Sequence, residues 1–317
     1  ILMPFVSVVP NLFDVPEIRA DYRYTMCDFE DDDFSVMLRR SGFRQILAKD
    51  TFVHHFGGVT LNEVRTKEEN YKSIVSMRPV FRAKWKVDPW ESRGHLAFLD
   101  DFLKTLPEET TPVRMLVIEP MFGECVLRVR NYFRKLERVV TVDAVVTDEH
   151  YLSDVRLTVN SVMQVDTLDC FAEGACGNYD IVIIGAPLNN LPITRIIPFF
   201  QSCYRLLCPH GFLYASLRNY NSFEHTMESL PNTVPYLVYE NIVPIDGYRM
   251  FPIRRLIEAM EKEFSAASIH IGYVKQSRRF NGIEEFLQVT EKICVVEDMK
   301  AQIHHFLSGD AIVLCLT

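Results

Sequence analysis

The sequence predicts an α/β fold: a doubly wound, mostly parallel sheet over residues 113–317, closed by an antiparallel hairpin and preceded by a small α/β segment. Three observations predict it. Val113–Ile118 reads VRMLVI, the near-continuous apolar run that a parallel strand covered on both faces requires. Gly123 follows, then Val126, Leu127 and Val129, the apolar positions of a helix packed back on that strand. Strand and helix patterns then alternate to the C-terminus, and the polar run Pro107-Glu108-Glu109-Thr110-Thr111-Pro112 sets all of this apart from what precedes it.

The elements of the second domain follow in order. A helix fits Glu124–Leu136. Val139–Asp143 reads as a second strand ending in an acid, Asp148–Leu157 as a helix and Ser161–Val165 as a short third strand. Tyr179–Gly185 is a strongly apolar fourth strand, and Ile193–Leu207 a long amphipathic helix. Pro209-His210-Gly211 turns into a fifth strand, Phe212–Leu217. Pro252–Phe264 is helical, with Pro252 near the first turn. Ser268–Val274 and Ala311–Leu316 read as the closing strand pair, with helical insertions at Ile283–Gln288 and Val296–Leu307 between them.

Residues 1–90 form the first predicted domain. The run DFEDDD at 28–33 leads into FSVMLRRSGF. Asp32 or Asp33 suits a helix N-cap, Phe34, Met37 and Leu38 fall at helical spacing, and Arg39 and Arg40 occupy the last turn. Gly42 stands where the glycine beyond a C-cap belongs. By composition the acidic run is a capped, solvated helix end. Extended segments fit Gln45–Ala48 and Thr51–His55, with a turn at Gly57-Gly58, and a charged helix fits Glu63–Met77. Trp85 and Trp90 suit an interface, Asp88-Pro89 marks a break, and His95–Leu106 is a helix within the connecting stretch 91–112.

Bulk properties bound the function. The 317 residues allow two domains, and 48% hydrophobic content supplies ordinary cores. A net charge of −8 without a long basic block argues against nucleic acid as a partner. No apolar run reaches the length of a membrane span. The chain opens on Ile1, as expected of part of a longer protein, and ILMPFVSVVP lacks the flanks of a signal peptide. The eight cysteines include no CxxC pair. Cys125, Cys203, Cys208, Cys294 and Cys315 read as reduced core residues of a cytoplasmic protein.

The block FEDDDFSVMLRRSGFRQILAKDTFVHHFGGVT resembles the last catalytic block of family-2 glycosyltransferases of the GT-A fold. Glu30-Asp31 opens the helix, Ser41-Gly42-Phe43 makes the turn, and His55-Phe56-Gly57 ends the extended segment. The resemblance implies that Asp31 stands where a base takes the acceptor hydroxyl proton, and His55 where a side chain meets a metal-bound diphosphate. FRAKWKVDPW resembles the phrase that closes such domains. The nucleotide-binding half does not precede the block. The resemblance therefore implies a C-terminal remnant, with a divalent metal only where the missing half is present.

The strand order, NYDIVIIGAPLNNL, and the Leu-Leu-x-Pro-x-Gly phrase at Leu206, Leu207, Pro209 and Gly211 resemble class I S-adenosylmethionine-dependent methyltransferases, of Rossmann-like fold. The resemblance covers 113–317. It implies S-adenosylmethionine as cofactor, held at Glu119 and Gly123 in the first turn, at Asp143 through the ribose hydroxyls, and at Asp166 near the adenine. Aligned on the family's glycine motif, Glu119 and Met121 occupy two of the three glycine positions and Gly123 the third. Val117 stands where an acid would meet the cofactor's amino group. Asp143 reads equally as an ordinary acid at a strand end, and Asp166 as a solvated loop residue.

Lesser candidates carry plainer explanations. His54-His55 and His304-His305 are adjacent pairs whose side chains diverge. Asn189-Asn190 suits a turn, Lys275–Arg279 a solvated surface, and Tyr214, Tyr220, Phe223 and Tyr248 either a sugar site or core. Together the resemblances imply a transferase-family protein of surface glycan biosynthesis: a methyltransferase-like domain on a glycosyltransferase tail, acting on a sugar or glycan acceptor. The competing expectations are a catalytically inactive scaffold or docking module, with a glycosyltransferase partner or upstream domain, and part of a larger active glycosyltransferase.

Overall fold

The computed structural model describes residues 21–24, 28–46, 66–88, 96, 98–109, 112–171, 179–185, 191, 193–218, 253–264, 268–274 and 311–317. Its helices are α1 Glu30–Arg40, α2 Lys67–Trp85, α3 Leu99–Leu103, α4 Glu124–Arg134, α5 Leu152–Arg156, α6 Leu168–Phe171, α7 Ile193–Tyr204 and α8 Ile253–Glu263. Its strands are β1 Val113–Ile118, β2 Val140–Val146, β3 Ser161–Gln164, β4 Tyr179–Ile184, β5 Leu207–Arg218, β6 Ile269–Val274 and β7 Ala311–Leu316. They fall into two compact units. One comprises Ile1–Arg93 with Asp148–Leu157; the other comprises Gly94–Thr147 with Thr158–Thr317. The boundary in the chain thus lies at Arg93, and the segment after β2 belongs to the first unit.

In the first unit, α1 is held by opposite charges at its two ends, with four acids in the first turn and Arg39 and Arg40 in the last. No side chain caps it. Phe29 takes the N-cap position with φ 68°, and its carbonyl accepts from Asp33 N at 2.8 Å. The expected Asp32 or Asp33 cap and solvated acidic end are therefore corrected: both carboxylates are buried. Asp33 accepts from Tyr24 Oη at 3.1 Å, Lys84 Nζ at 2.8 Å and Trp85 Nε1 at 2.6 Å. Three donors offset the cost of burying that charge. Gly42, at φ 86°, ends the helix as expected.

Helix α2 starts later and runs further than the predicted Glu63–Met77. Thr66 and Glu69 form a capping box, and Pro79 sits inside the helix. Phe81 is fully buried, its ring 5.8 Å from that of Phe29. Short α5 contributes Asp154, whose side chain is 0% exposed and faces Arg40 at 3.1 Å and Arg39 at 3.4 Å. The expected segments at Gln45–Ala48 and Thr51–His55, with His55, Trp90, Asn189, Asn190, Tyr220, Phe223, Tyr248, Lys275–Arg279, both insertions after β6 and His304-His305, lie wholly or partly outside the described residues.

The second unit is a seven-stranded sheet in the order β3-β2-β1-β4-β5-β7-β6. β1 pairs in parallel with β2, from Val113↔Val140 to Ile118↔Val145, and with β4, from Met115↔Ile181 to Ile118↔Ile184. The apolar runs in β1 and β4 arise because both faces are covered: Met115 and Val117 are as buried as Leu116 and Ile118. One face meets Phe199, Phe200 and Cys203 of α7 and Met260 of α8. β7 runs antiparallel to both β5 and β6. It lies between them, so β6 and β7 form an antiparallel pair at that edge of the sheet, with residues 275–310 between them in the chain.

Two boundaries also differ. The predicted helix His95–Leu106 is only α3. Pro209-His210-Gly211 is an irregularity inside β5 rather than a turn before it, with His210 at φ 69° and the register against β4 shifting between Tyr179 and Ile181. At Gly211 a Cβ would come 2.9 Å from Tyr179 O, so the neighbouring backbone needs the glycine there.

Candidate functional site

In an open parallel sheet the ligand crevice lies outside the carboxyl ends of the strands, where the strand order reverses. Here that point lies between β1 and β4, whose crossovers lead to opposite sides of the sheet. The residues that leave the strands there are Glu119 after β1, Thr147 after β2 and Gly185 after β4.

The turn from Glu119 to Gly123 has an alternating backbone. Glu119 has φ 50°, Met121 φ 53° and Gly123 φ 80°, all left-handed. These are the three positions aligned on the glycine motif. The backbone at all three is the conformation glycine adopts most readily, although two of them carry side chains. Backbone bonds fix the turn. Glu119 N donates to Val145 O at 2.8 Å, Gly123 N to Pro120 O at 2.7 Å, and Gly185 N to Ile118 O at 2.7 Å. Packing fixes it again: a Cβ at Gly185 would lie 2.6 Å from Glu119 O, and one at Gly123 would lie 2.8 Å from Thr158 Oγ1.

The Glu119 side chain does not point into open space. It is 7% exposed, and its Oε1 accepts from Thr147 N at 2.8 Å and from the Thr147 hydroxyl. Pro120 and Phe122 are buried and Met121 is half-buried. Val117, aligned with the acid of the motif, is instead a fully buried strand residue, and Glu119 is the first carboxylate beyond β1.

Asp143 is not part of this constellation. The strand expected to end there continues to Val146, and Asp143 pairs with Leu116 and Ser161 in mid-sheet. Its carboxylate accepts from Ser161 Oγ at 2.5 Å and Tyr179 Oη at 3.0 Å. Tyr179 opens β4 and Ser161 opens β3, so this network lies toward the amino ends of the strands. Burial, then the Asp143 carboxylate, push the Tyr179 hydroxyl up to about 12. The Arg114 guanidinium lies 5.3 Å from the Tyr179 ring centroid. Asp166 is exposed in the bend after β3, two strands away from β1. Tyr214 is 1% exposed and belongs to the core.

In the first unit, Asp31 sits in the first turn of α1, half-buried, with its carboxyl pKa raised by burial; burial raises Glu30 likewise. His55, its expected companion, lies outside the described residues. Among the described residues no group of His, Cys, Asp and Glu could hold a metal ion, and no helix is long and apolar enough to cross a membrane.

The residues present do not fit S-adenosylmethionine in the first turn as it stands. Side chains project at two of the three left-handed positions, and the end of β2 is already engaged by Glu119. Thr147 and Gly185 escaped sequence reasoning. The signal was slight: a hydroxyl and a glycine each directly follow an apolar strand.

The unit is a mostly parallel sheet with helices, of Rossmann-like topology. No family model and no curated protein matches the chain. Among solved structures it is similar to a SAM-dependent methyltransferase from Archaeoglobus fulgidus, at 13% identity and a TM-score of 0.44, covering 75% of this chain and 97% of that one. It is also similar to an S-adenosylmethionine-dependent methyltransferase from Mesorhizobium loti, at 12% identity and a TM-score of 0.40, covering 69% and 97%. A third is a SAM-dependent methyltransferase from Thermotoga maritima, at 14% identity and a TM-score of 0.39, covering 70% and 89%.

Proposed function

We propose that residues 113–317 are a methyltransferase-type domain that serves as a docking or scaffold module, without using S-adenosylmethionine, in a protein of surface glycan biosynthesis. The first turn carries this reading. Glu119 and Met121 occupy left-handed positions that a bulky ligand needs bare, and Glu119 engages both donors at the end of β2. The glycosyltransferase-like segment before residue 90 is the partner such a module positions. Titration calorimetry of the full chain with S-adenosylmethionine tests the reading. No saturable heat is expected at millimolar ligand; stoichiometric binding would overturn it.

The second reading is active methyl transfer to a sugar hydroxyl. Glu119 favours it, as a carboxylate at the carboxyl end of β1 able to accept from an amino group on leaving Thr147. A larger active glycosyltransferase is the third. It needs a nucleotide-sugar half encoded upstream of Ile1, which the gene sequence decides.

A further inference from the structure

The sheet ends at β3 on an edge without the usual protection. An edge strand offers unpaired N–H and C=O groups to another chain, and proteins commonly blunt it with charge, proline or a bulge. β3 reads Ser-Val-Met-Gln, with no charge and no proline, in continuous register with β2. Ser161, Met163 and Gln164 are exposed, Met163 to 55%. Among the described residues β2 is the only strand that pairs with β3. The strand is also well fixed. Ser161 Oγ donates to Asp143 at 2.5 Å, Val142 N to Asn160 Oδ1 at 2.9 Å and Val165 N to Val146 O at 3.0 Å. A strand already held in place loses little freedom when another joins it.

The ladder determines which groups face outward. Successive residues of a paired strand aim their N–H and C=O to opposite sides. Val145 O accepts from Glu119 N, so the odd residues of β2 face β1 and the even ones face β3. Val146 O accepts from Val165 N, which turns the odd residues of β3 toward β2. Val162 and Gln164 therefore point their backbone groups away from the sheet, on either side of Met163. The two ends of the strand differ in charge. At one, Arg130 donates to Asn160 Oδ1 at 2.6 Å, and its Nε is buried without a hydrogen bond. At the other, Asp166 is exposed. Among the described residues neither has an ionic partner.

We propose that β3 pairs antiparallel with β3 of a second copy, about a two-fold axis at Met163, so that one sheet runs through both chains. In that register Val162 faces Gln164 of the second copy. The pair exchanges both backbone bonds, and the axis repeats the exchange. Met163 meets its own copy in a closely spaced pair, apolar against apolar. Asn160, with Arg130 on it, comes opposite Asp166 of the second copy, and the axis repeats this too. The edge thus matches itself in register, apolar centre and charge, which favours a copy of this chain over a foreign strand. The pairing does not depend on whether the unit takes a cofactor.

Sedimentation velocity of the full chain over a concentration series tests the proposal. A reversible dimer at micromolar chain is expected. Met163→Lys sets like charges together on the axis, and Gln164→Pro removes an outward N–H without touching a bond to β2. Asp166→Arg turns the attraction to Arg130 into repulsion. Each should raise the dissociation constant at least about tenfold, with the far-ultraviolet circular dichroism unchanged. The Val162 and Gln164 amides should exchange more slowly as concentration rises.

A chain that stays monomeric to about 100 μM overturns the proposal, including the case in which the edge takes a strand from another protein. A dimer that withstands all three substitutions overturns it as well, since its interface lies elsewhere. So does a dimer in which Val162 and Gln164 exchange as fast as in the monomer. Where Met163→Lys or Gln164→Pro fails to fold, Asp166→Arg, in an exposed bend, decides alone.

Discussion

Met121 shows how a residue can be out of step with its own backbone. At φ 53° its Cβ crowds the following carbonyl, at a cost of about 1–2 kcal/mol. Met121→Gly relieves that strain against about 0.5–1 kcal/mol of extra chain entropy. The net expectation is a chain more stable by up to about 1.5 kcal/mol, seen as a higher urea midpoint with an unchanged slope. Tyr179 carries a second expectation. Its folded pKa is raised to about 12 from the ordinary 10.0, by burial and then by Asp143. A raised pKa means the neutral form is favoured in the folded chain. Its stabilising contribution is whole below pH 10 and is lost as pH rises toward 12. The urea midpoint should fall across that window, and Tyr179→Phe should flatten the fall. Asp143 itself was misread for a local reason. VTVDAVV looks like a strand halted by its acid, and the partners that let the acid stay in mid-strand, Ser161 and Tyr179, lie on other strands. Pattern along the chain does not carry that information.

At the scale of elements, strands covered on both faces were the most legible part. β1 and β4 fall where their apolar runs place them, because burial on both sides leaves room for little else. Helix α1 was placed by spacing, but its environment was not. Four consecutive acids suggest solvent, whereas Asp33 is buried against Tyr24, Lys84 and Trp85. Partners contributed by residues fifty positions on are invisible to composition. The pairing of α1 with α5 belongs to the same kind. Asp154 is 0% exposed between Arg39 and Arg40, and burial lowers the Arg39 pKa. Asp154→Asn leaves two arginines short of a counter-charge, so a loss of about 3 kcal/mol is expected in equilibrium unfolding. A loss under about 1 kcal/mol would mean that the ion pairs are held in solvent.

At the scale of the whole molecule, the fold class was legible, and the sequence reading ended the first domain at residue 90, with 91–112 as a helix and linker before Val113. The compact units divide at Arg93, and Asp148–Leu157 joins the first of them. Nothing in the sequence of a short crossover says which unit it joins, since its partners Arg39, Arg40 and Asp88 lie elsewhere in the chain. A chain trimmed to begin at Val113 keeps α5 without Arg39 and Arg40. It is expected to show a lower melting temperature and more light scattering than the full chain. Equal melting would assign α5 no part in the first unit.

That discontinuity also sets a timetable. The opening ninety-three residues leave the ribosome before Asp148–Leu157 has been made, so their unit lacks a piece of itself while the nascent chain is still growing. Asp154 becomes available to Arg39 and Arg40 only once β1 and β2 have also been synthesised. The N-terminal unit must therefore finish late, and a pause in translation before that point would leave it exposed to chaperones and proteases.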